Sequence, residues 1–386
     1  MSRLKPLSCR IIVALGFLLL GTSMLLRNGL AEAASPSSCR TWHIVSSPNV
    51  ASAQNILYGV AIVSPKDVWA VGNFSANASS NPSETLTEHW NGSQWSIVSS
   101  PSPNESTLYA VSALSTSDAW AVGHFLDTNS HEFRTLTEHW NGTSWSVVAS
   151  PNVGAGYNDL YAVAAISANN VWAVGDSNSG YSTLIEHWNG TSWNVASSPN
   201  GPSSSSNELR GMTAISAKDI WAVGDYTSGG GIKLTLTEHW NGTSWSIVKS
   251  PNIGSTASIL YGVSAVSTND VWAVGYHQAT VQKTLIEHWD GTRWSVIRSP
   301  NAGTNSNQLL GVAAISATRV WAVGYHLDSY TLTEQWNGTS WSIVNNPSTG
   351  SVYSQFLGVA ASPSNALWAV GFDQNPFEQT LTESYC

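Results

Sequence analysis

Asp67-Val68-Trp69-Ala70-Val71-Gly72 is the stretch on which the reading of this chain turns. Its Trp-Ala-Val-Gly core returns at Trp120, Trp172, Trp221, Trp272, Trp321 and Trp368, at intervals of 51, 52, 49, 51, 49 and 47 residues. A period near 50 with aromatic and β-branched content marks a radial array of small β-sheets. Just upstream, Leu57-Tyr-Gly-Val-Ala-Ile-Val-Ser64 is a nearly continuous apolar run, as expected of a strand covered on both faces. Pro65-Lys66-Asp67 makes the turn between the two. Downstream, after a segment of variable length, Thr85-Leu-Thr-Glu-His-Trp90 supplies a third strand and Trp95-Ser-Ile-Val98 a fourth. Asn91-Gly92 between them predicts a two-residue type I′ hairpin, because both residues tolerate positive φ. Ser99-Ser100-Pro101 ends the unit, since Pro cannot extend a ladder. The expected fold is all-β: a seven-bladed β-propeller of four-stranded antiparallel blades.

The two ends complete one another. Thr380-Leu-Thr-Glu-Ser-Tyr385 is a third strand with no fourth after it, and the given sequence ends at Cys386. Cys39-Arg-Thr-Trp42-His-Ile-Val45-Ser-Ser-Pro48 has the pattern of a fourth strand, with Trp42 in the place of Trp95. The N-terminal strand is therefore expected to complete the last blade, which leaves no open edge. In that register Cys386 takes the Asn91 position and Cys39 the Gly92 position. A disulfide would then replace the covalent turn, contributing about 2–4 kcal/mol after strain and denatured-state structure are allowed for. Two unrelated free thiols are the alternative.

Residues 1–33 read as a signal peptide: Arg3, Lys5 and Arg10, then the apolar run Ile11–Leu26, then Ala31-Glu32-Ala33. The rival is an uncleaved membrane anchor, for which that run is short. The remaining 34–386 is expected to be one propeller and, for a cleaved leader, secreted without stable membrane insertion. It retains 11 basic and 23 acidic residues, a net charge of −12. With no Lys/Arg cluster left, phosphate backbones and anionic membranes are poor partners. A monomer is expected.

Two polar columns recur. The first turn carries Asp67, Asp118, Asn170, Asp219, Asp270, Arg319 and Asn365. The third strand carries His89, His139, His187, His239, His288, Gln335 and Ser384. Both columns degenerate in the last two units. The expectation is an Asp–His hydrogen bond inside each blade, in particular Asp67 with His89, Asp118 with His139, Asp219 with His239 and Asp270 with His288, joined by the Ser before the turn. Metal ligation is not expected, because equivalent positions on separate blades do not converge on one ion. The repeated Trp residues are expected to fill the space between blades. Asn91, Asn141, Asn189, Asn241 and Asn337 also match the glycosylation sequon, though turn chemistry already explains them.

Over residues 39–386 the unit resembles a kelch-type repeat. Val68-Trp-Ala-Val-Gly72 stands for the strand that ends in Gly-Gly, and Trp95 for the later Trp. The repeats are degenerate. The second Gly is replaced by Asn73, His124, Asp176, Asp225, Tyr276, Tyr325 and Phe372, the usual Tyr is a Trp, and the turn is shorter. The polar columns are similar to the structural Trp/Ser/His/Asp tetrad of WD-repeat propellers. Kelch resemblance implies a propeller and a protein-binding platform, while related propellers are enzymes, so it does not choose a function. A galactose-oxidase-like copper site needs a free Cys beside Tyr and His, and both Cys of 34–386 are assigned to the closure. A sialidase needs Asp-boxes and three convergent Arg, and Trp90 stands where the box Asp belongs.

Function is sought on the face from which the long connections emerge, since loops on a rigid scaffold collect binding residues. The ligand-binding candidates there are Phe74, Phe125, Tyr226, Tyr276, Tyr325 and Phe372, with His124, His277 and His326. Their alternative role is to cap the blade cores. No catalytic residue, metal or cofactor is assigned. The sequence favours a non-catalytic binding or scaffold module for an extracellular glycan or protein. The alternative is a glycan-active enzyme, glycoside hydrolase or sialidase-like, with its acid and base in the central pocket. Two carboxylates about 5–10 Å apart there would favour it.

Overall fold

The computed structural model describes residues 40–385 except 51–53, 77–82, 203, 329, 348, 352 and 363. The expected leader, Cys39 and Cys386 lie outside the described residues. No helix among the described residues is long and apolar enough to cross a membrane.

Among the described residues every regular element is a strand, and the strands repeat in fours. The first strand of each unit is β2 (Gln54–Ser64), β6 (Ser106–Ser115), β10 (Asp159–Ser167), β14 (Ser206–Ser216), β18 (Ser258–Ser267), β22 (Asn307–Ser316) and β26 (Tyr353–Ala361). The second, which carries Trp-Ala-Val-Gly, is β3 (Asp67–Ser75), β7 (Asp118–Asp127), β11 (Asn170–Ser177), β15 (Asp219–Thr227), β19 (Asp270–Gln278), β23 (Arg319–His326) and β27 (Leu367–Gln374). The third is β4 (Glu84–Trp90), β8 (Glu132–Trp140), β12 (Ser182–Trp188), β16 (Lys233–Trp240), β20 (Gln282–Trp289), β24 (Tyr330–Trp336) and β28 (Glu378–Tyr385). The fourth is only three residues long: β5 (Trp95–Ile97), β9 (Trp145–Val147), β13 (Trp193–Val195), β17 (Trp245–Ile247), β21 (Trp294–Val296), β25 (Trp341–Ile343) and, from the start of the chain, β1 (Trp42–Ile44).

Five units form separate four-stranded antiparallel sheets in chain order. The remaining strands form one eight-stranded sheet, β26-β27-β28-β2-β3-β4-β5, with β1 on β28. Among the described residues one parallel pair, Gln54 with Glu378, joins β2 to β28 within it. β1 runs antiparallel to β28 with Trp42 opposite Tyr385. The residues after β1 repeat what the other units do. Thr380 N–H donates to Asn49 Oδ1 at 2.9 Å, as Thr135 N–H donates to Asn152 Oδ1 at 3.0 Å.

Tryptophan packing links the units. Trp69 packs on Trp140 and Trp145, Trp120 on Trp188 and Trp193, and Trp172 on Trp240 and Trp245. Trp221 packs on Trp289 and Trp294, and Trp272 on Trp336 and Trp341. Trp321 then meets Tyr385 and Trp42, and Trp368 meets Trp90 and Trp95. The series of contacts returns to its start. All seven of these Trp-Ala-Val-Gly indoles are at most 4% exposed, so the core is a set of seams between sheets rather than one central mass.

The Asn-Gly turn differs from the expected I′ hairpin. Gly92 has φ of +95°, but Asn91 stays in the negative-φ region. Residues 91–94 form a loop in which Asn91 Oδ1 accepts from Ser93 N–H, Ser93 Oγ–H and Gln94 N–H. The Asn carboxamide satisfies backbone donors locally, so the Asn backbone need not turn left-handed.

Candidate functional site

The first strands lie against one another in cyclic order and enclose a channel. Each carries a β-bulge at the same place. Leu57 pairs with Gly72 and Gly59 with Val71, leaving Tyr58 unpaired. The same shift leaves out Tyr109, Tyr161, Arg210, Tyr261, Leu310 and Leu357. A bulge re-aims one side chain, and these seven residues line a cavity of about 380 Å³. The glycine of Trp-Ala-Val-Gly is what permits the bulge. A Cβ on Gly72 would lie 1.8 Å from the carbonyl oxygen of Ile56, which folds over it. The repeated motif thus builds the channel, and the bulged residue decorates it.

Two residues before each bulged position, toward the long connections, a second tier forms the channel mouth. It consists of cross-strand pairs: Ile56 with Asn73, Thr107 with His124, Asp159 with Asp176, Glu208 with Asp225, Ile259 with Tyr276, Gln308 with Tyr325, and Gln355 with Phe372. Within these pairs charge is confined to the neighbouring units that contribute β6–β8, β10–β12 and β14–β16. His124 Nδ1–H donates to Asp159 Oδ1 at 2.5 Å. Arg210 Nε–H donates to Asp225 at 2.9 Å, its Nη2 also contacts Glu208, and Lys233 Nζ lies 3.0 Å from Asp225. The Arg210 guanidinium stands 5.9 Å from the ring centre of Tyr161 and 5.3 Å from that of Tyr261. Tyr58, Tyr109 and Tyr161 continue the aromatic wall, with successive ring centroids 5.2 and 5.3 Å apart.

The electrostatics follow from burial. The Asp176 carboxyl is pushed up to about 7 by burial and by the Asp159 charge, against a hydrogen bond from Tyr161. Burial raises the Tyr109 and Tyr161 phenols, and the charges of Asp159 and Asp176 raise both further. The acid pair and these phenols therefore share one side of the channel. Tyr58 is pushed up to about 12, first by burial and then by Glu378.

The expected ligand-binding residues divide. His124, Tyr276, Tyr325 and Phe372 stand in the mouth tier, and Tyr276 lies 6.2 Å from the channel residue Tyr261. Phe74, Phe125 and Tyr226 pack against the apolar clusters of the seams. His277 follows Tyr276 on the opposite face of β19. His326 faces Tyr330, with its Nδ1 3.6 Å from Asp328. The channel wall itself was passed over in the sequence. Its signal is a column that changes identity (Tyr, Tyr, Tyr, Arg, Tyr, Leu, Leu) inside an otherwise repeated strand.

The polar columns meet inside the sheets. His Nε2 donates to the acid at 2.8 Å for His89 and Asp67, 2.9 Å for His139 and Asp118, 2.8 Å for His239 and Asp219, and 2.8 Å for His288 and Asp270. His187 and Asn170 approach to 2.9 Å. Each of these His rings also lies on the Trp-Ala-Val-Gly indole of its own sheet, as His139 on Trp120 at 4.5 Å. Ser64 is used differently from the expectation: its Oγ accepts from Lys66 N–H in the turn.

A further column went unnoticed in the sequence. Glu88, Glu138, Glu186, Glu238, Glu287, Glu334 and Glu383 are all 0% exposed. Each lies two residues before the third-strand Trp, or before Tyr385 in β28. The known partners come from the preceding unit: Ser198 Oγ–H to Glu238 at 3.1 Å and Asn346 Nδ2–H to Glu383 at 2.9 Å. Burial pushes Glu88, Glu138 and Glu238 up to about 8 and Glu383 up to about 7. It also holds Glu186, Glu287 and Glu334 well above the usual carboxylate range. Burial thus favours the neutral form of each of these acids at the seams. Among the described residues no cluster of three or more His, Cys, Asp or Glu is arranged to hold a metal ion.

No family model and no curated protein sequence matches the chain. Solved structures match its fold. YCF48 bound to a D1 peptide aligns with a TM-score of 0.56 and 13% identity, covering 91% of this chain and 99% of that one. The fold is a β-propeller. YCF48 from Cyanidioschyzon merolae aligns at 0.56 and 15% identity, over 89% of this chain and 98% of that one. A PL25 polysaccharide lyase, an ulvan lyase bound to -[GlcA(1-4)Rha3S]-, aligns at 0.55 and 9% identity, over 89% and 94%. At these identities the likeness of this propeller to the others concerns fold alone.

Proposed function

We propose that this chain is a secreted, non-catalytic binding propeller of seven kelch-like blades. In this reading the N-terminal strand completes the last blade, and an extracellular protein or glycan engages the channel mouth. The circular run of Trp contacts supports seven blades, with the eight-stranded sheet counted as two blades joined by one bridge. The observation that carries the binding reading is the break in the repeat. Scaffold positions recur from unit to unit, whereas the bulged and mouth positions vary and concentrate their charge on one side. A residue needed only for packing repeats with the packing; a residue that meets one asymmetric ligand does not. Protein and glycan both stay in view because propellers of this fold bind a peptide in one case and a polysaccharide in another.

The test is to screen the purified chain on glycan and peptide arrays beside a Tyr109→Ala/Tyr161→Ala variant. Binding by the wild type, lost in the variant without loss of the folded melting transition, supports the reading. Equal binding by both proteins removes the channel from it.

One observation favours the enzymatic alternative. Asp159 and Asp176 are cross-strand partners, which places their Cα atoms about 4.5–5.5 Å apart, and Asp176 is raised to about 7. A carboxyl raised by burial beside a second carboxyl is the pairing used in glycoside cleavage. Product release from any bound glycan, abolished in Asp176→Asn, decides for the enzyme.

A further inference from the structure

The residues that line the channel fall into two arcs. Leu310 and Leu357 are neighbours in the cyclic order, and the arc from Tyr58 through Tyr109, Tyr161 and Arg210 to Tyr261 completes the ring. The polar arc is not saturated. Tyr161 gives its hydroxyl to Asp176. Among the described residues the hydroxyls of Tyr58, Tyr109 and Tyr261 have no hydrogen-bond partner, and they are not sealed from solvent as the seam indoles are. Arg210 commits Nε to Asp225 and Nη2 to Glu208, which leaves Nη1. The wall therefore offers hydrogen bonds without free charge: its one cation is answered by two carboxylates, and no described carboxylate lines the cavity. At about 380 Å³ the cavity stands at the small end of ligand sites, which run from about 300 to 1,000 Å³.

We propose that the channel binds a single 6-deoxyhexose residue of a glycan, its hydroxyls held by Tyr58, Tyr109, Tyr261 and Arg210 and its C6 methyl set on Leu310 and Leu357. This rests on the binding-module reading and specifies its ligand. A phenol O–H both donates and accepts, as a sugar hydroxyl does. The C–H face of a pyranose carries a slight positive charge and suits the negative face of a tyrosine ring. A charged group finds no vacant counter-charge on the wall. A purely apolar ligand would strand the three phenol hydroxyls. An aromatic side chain from a peptide would cover the leucines but leave most of those hydroxyls unanswered. A hexose that keeps its C6 hydroxyl would press it on the two leucines, where it has no partner.

The experiment is calorimetric titration of the full chain with L-fucose beside L-galactose and with L-rhamnose beside L-mannose. Within each pair the sugars differ only by the hydroxyl at C6. In at least one pair the 6-deoxy sugar is expected to bind, ~10-fold or more tighter than its partner, the effect of burying a hydroxyl without a hydrogen bond. Leu357→Asn should reduce that preference. Tyr109→Phe should weaken the 6-deoxy sugar ~5-fold, the loss of one neutral hydrogen bond. Equal or tighter binding of the hydroxylated partner in both pairs overturns the inference, and this readout needs no variant to fold. A preference kept in full by a folded Leu357→Asn, or an affinity undiminished in a folded Tyr109→Phe, also overturns it. If none of the four sugars binds, while an array ligand binds and is lost in Tyr109→Ala/Tyr161→Ala, the binding module stands and this inference falls. No binding in either experiment removes both.

Discussion

Trp42 stands opposite Tyr385 across the β1–β28 pair, their ring centroids 5.5 Å apart, and the indole edge of Trp321 completes the cluster at 5.5 Å from Trp42. A residue near the start of the described chain thereby fills the seam that every other unit fills from within its own sequence. Trp42→Ala should destabilise the chain by about 3–5 kcal/mol, the usual cost of emptying a buried aromatic site. Denaturant unfolding measures it. A change below 1 kcal/mol would show that β1 is not needed to hold the closure.

The Trp42–Tyr385 pair stands at the end of the described β1–β28 register. We propose that Cys39 and Cys386 are joined there as a disulfide. Non-reducing peptide mass mapping of the purified protein should recover the two as one linked peptide. Quantitative labelling of both thiols in unreduced protein would refute the bond.

Seven carboxyls buried at the seams set a pH dependence of unusual sign. Unfolded, each Glu titrates near 4.5; folded, Glu88, Glu138 and Glu238 titrate near 8. Between those values the folded chain holds protons that the unfolded chain has released. Stability is therefore greatest near pH 4–5 and falls as pH rises through the window to about 8. Melting temperatures should decline from pH 5 to about pH 8 and level off above it. Glu138→Gln should be near neutral at pH 5 and stabilising at pH 9 by about 1–3 kcal/mol, the scale of leaving a buried group without its partner.

His139 bonds Asp118 at 2.9 Å and lies on Trp120. Replacing it by Ala removes both contacts at once, and about 1–3 kcal/mol of stability should go with them. Ligand affinity should be untouched, because the pair lies at the turn end of the strands and not at the channel mouth. Unchanged melting in His139→Ala would show that the network has no structural weight.

The glycine of the repeated motif gives a sharper steric test. A Cβ on Gly123 would sit 1.8 Å from the carbonyl oxygen of Thr107. Gly123→Ala should force the bulge at Tyr109 out of register and cost about 1–3 kcal/mol or more. Hydrogen exchange should localise the loss to β6 and β7. A variant as stable as the wild type would mean that the strands relax around the methyl group.

Much of the architecture could be read from residue order. Trp-Ala-Val-Gly, Glu-His-Trp and Asn-Gly recur because each unit solves the same local problem, and a repeated solution leaves a repeated string. Trp42 was recognisable as a displaced fourth strand for the same reason. The Asp67–His89 spacing pointed to two positions on neighbouring strands. Other features were hidden. Glu88 reads as an ordinary polar residue between Thr87 and His89, and strand alternation alone does not say which face meets the next sheet. Asn91 reads as a I′ turn residue until its carboxamide is seen bonding the loop.

The channel is the clearest case of division. Sequence determined that seven similar units exist, that each holds four strands, and that a motif glycine stands in each second strand, because these depend on local pattern and periodicity; that the second strand runs on past this glycine, as β3 does to Ser75, was not legible there. Only the tertiary structure decided that the residue after the buried Leu is squeezed out of register and turned toward the axis. Only there do Tyr58, Tyr109, Tyr161 and Arg210 become neighbours, while Phe74, Phe125 and Tyr226 sink into seams. The reason is physical: a bulge is set by the backbone of the adjacent strand, and convergence on an axis is set by all the sheets together.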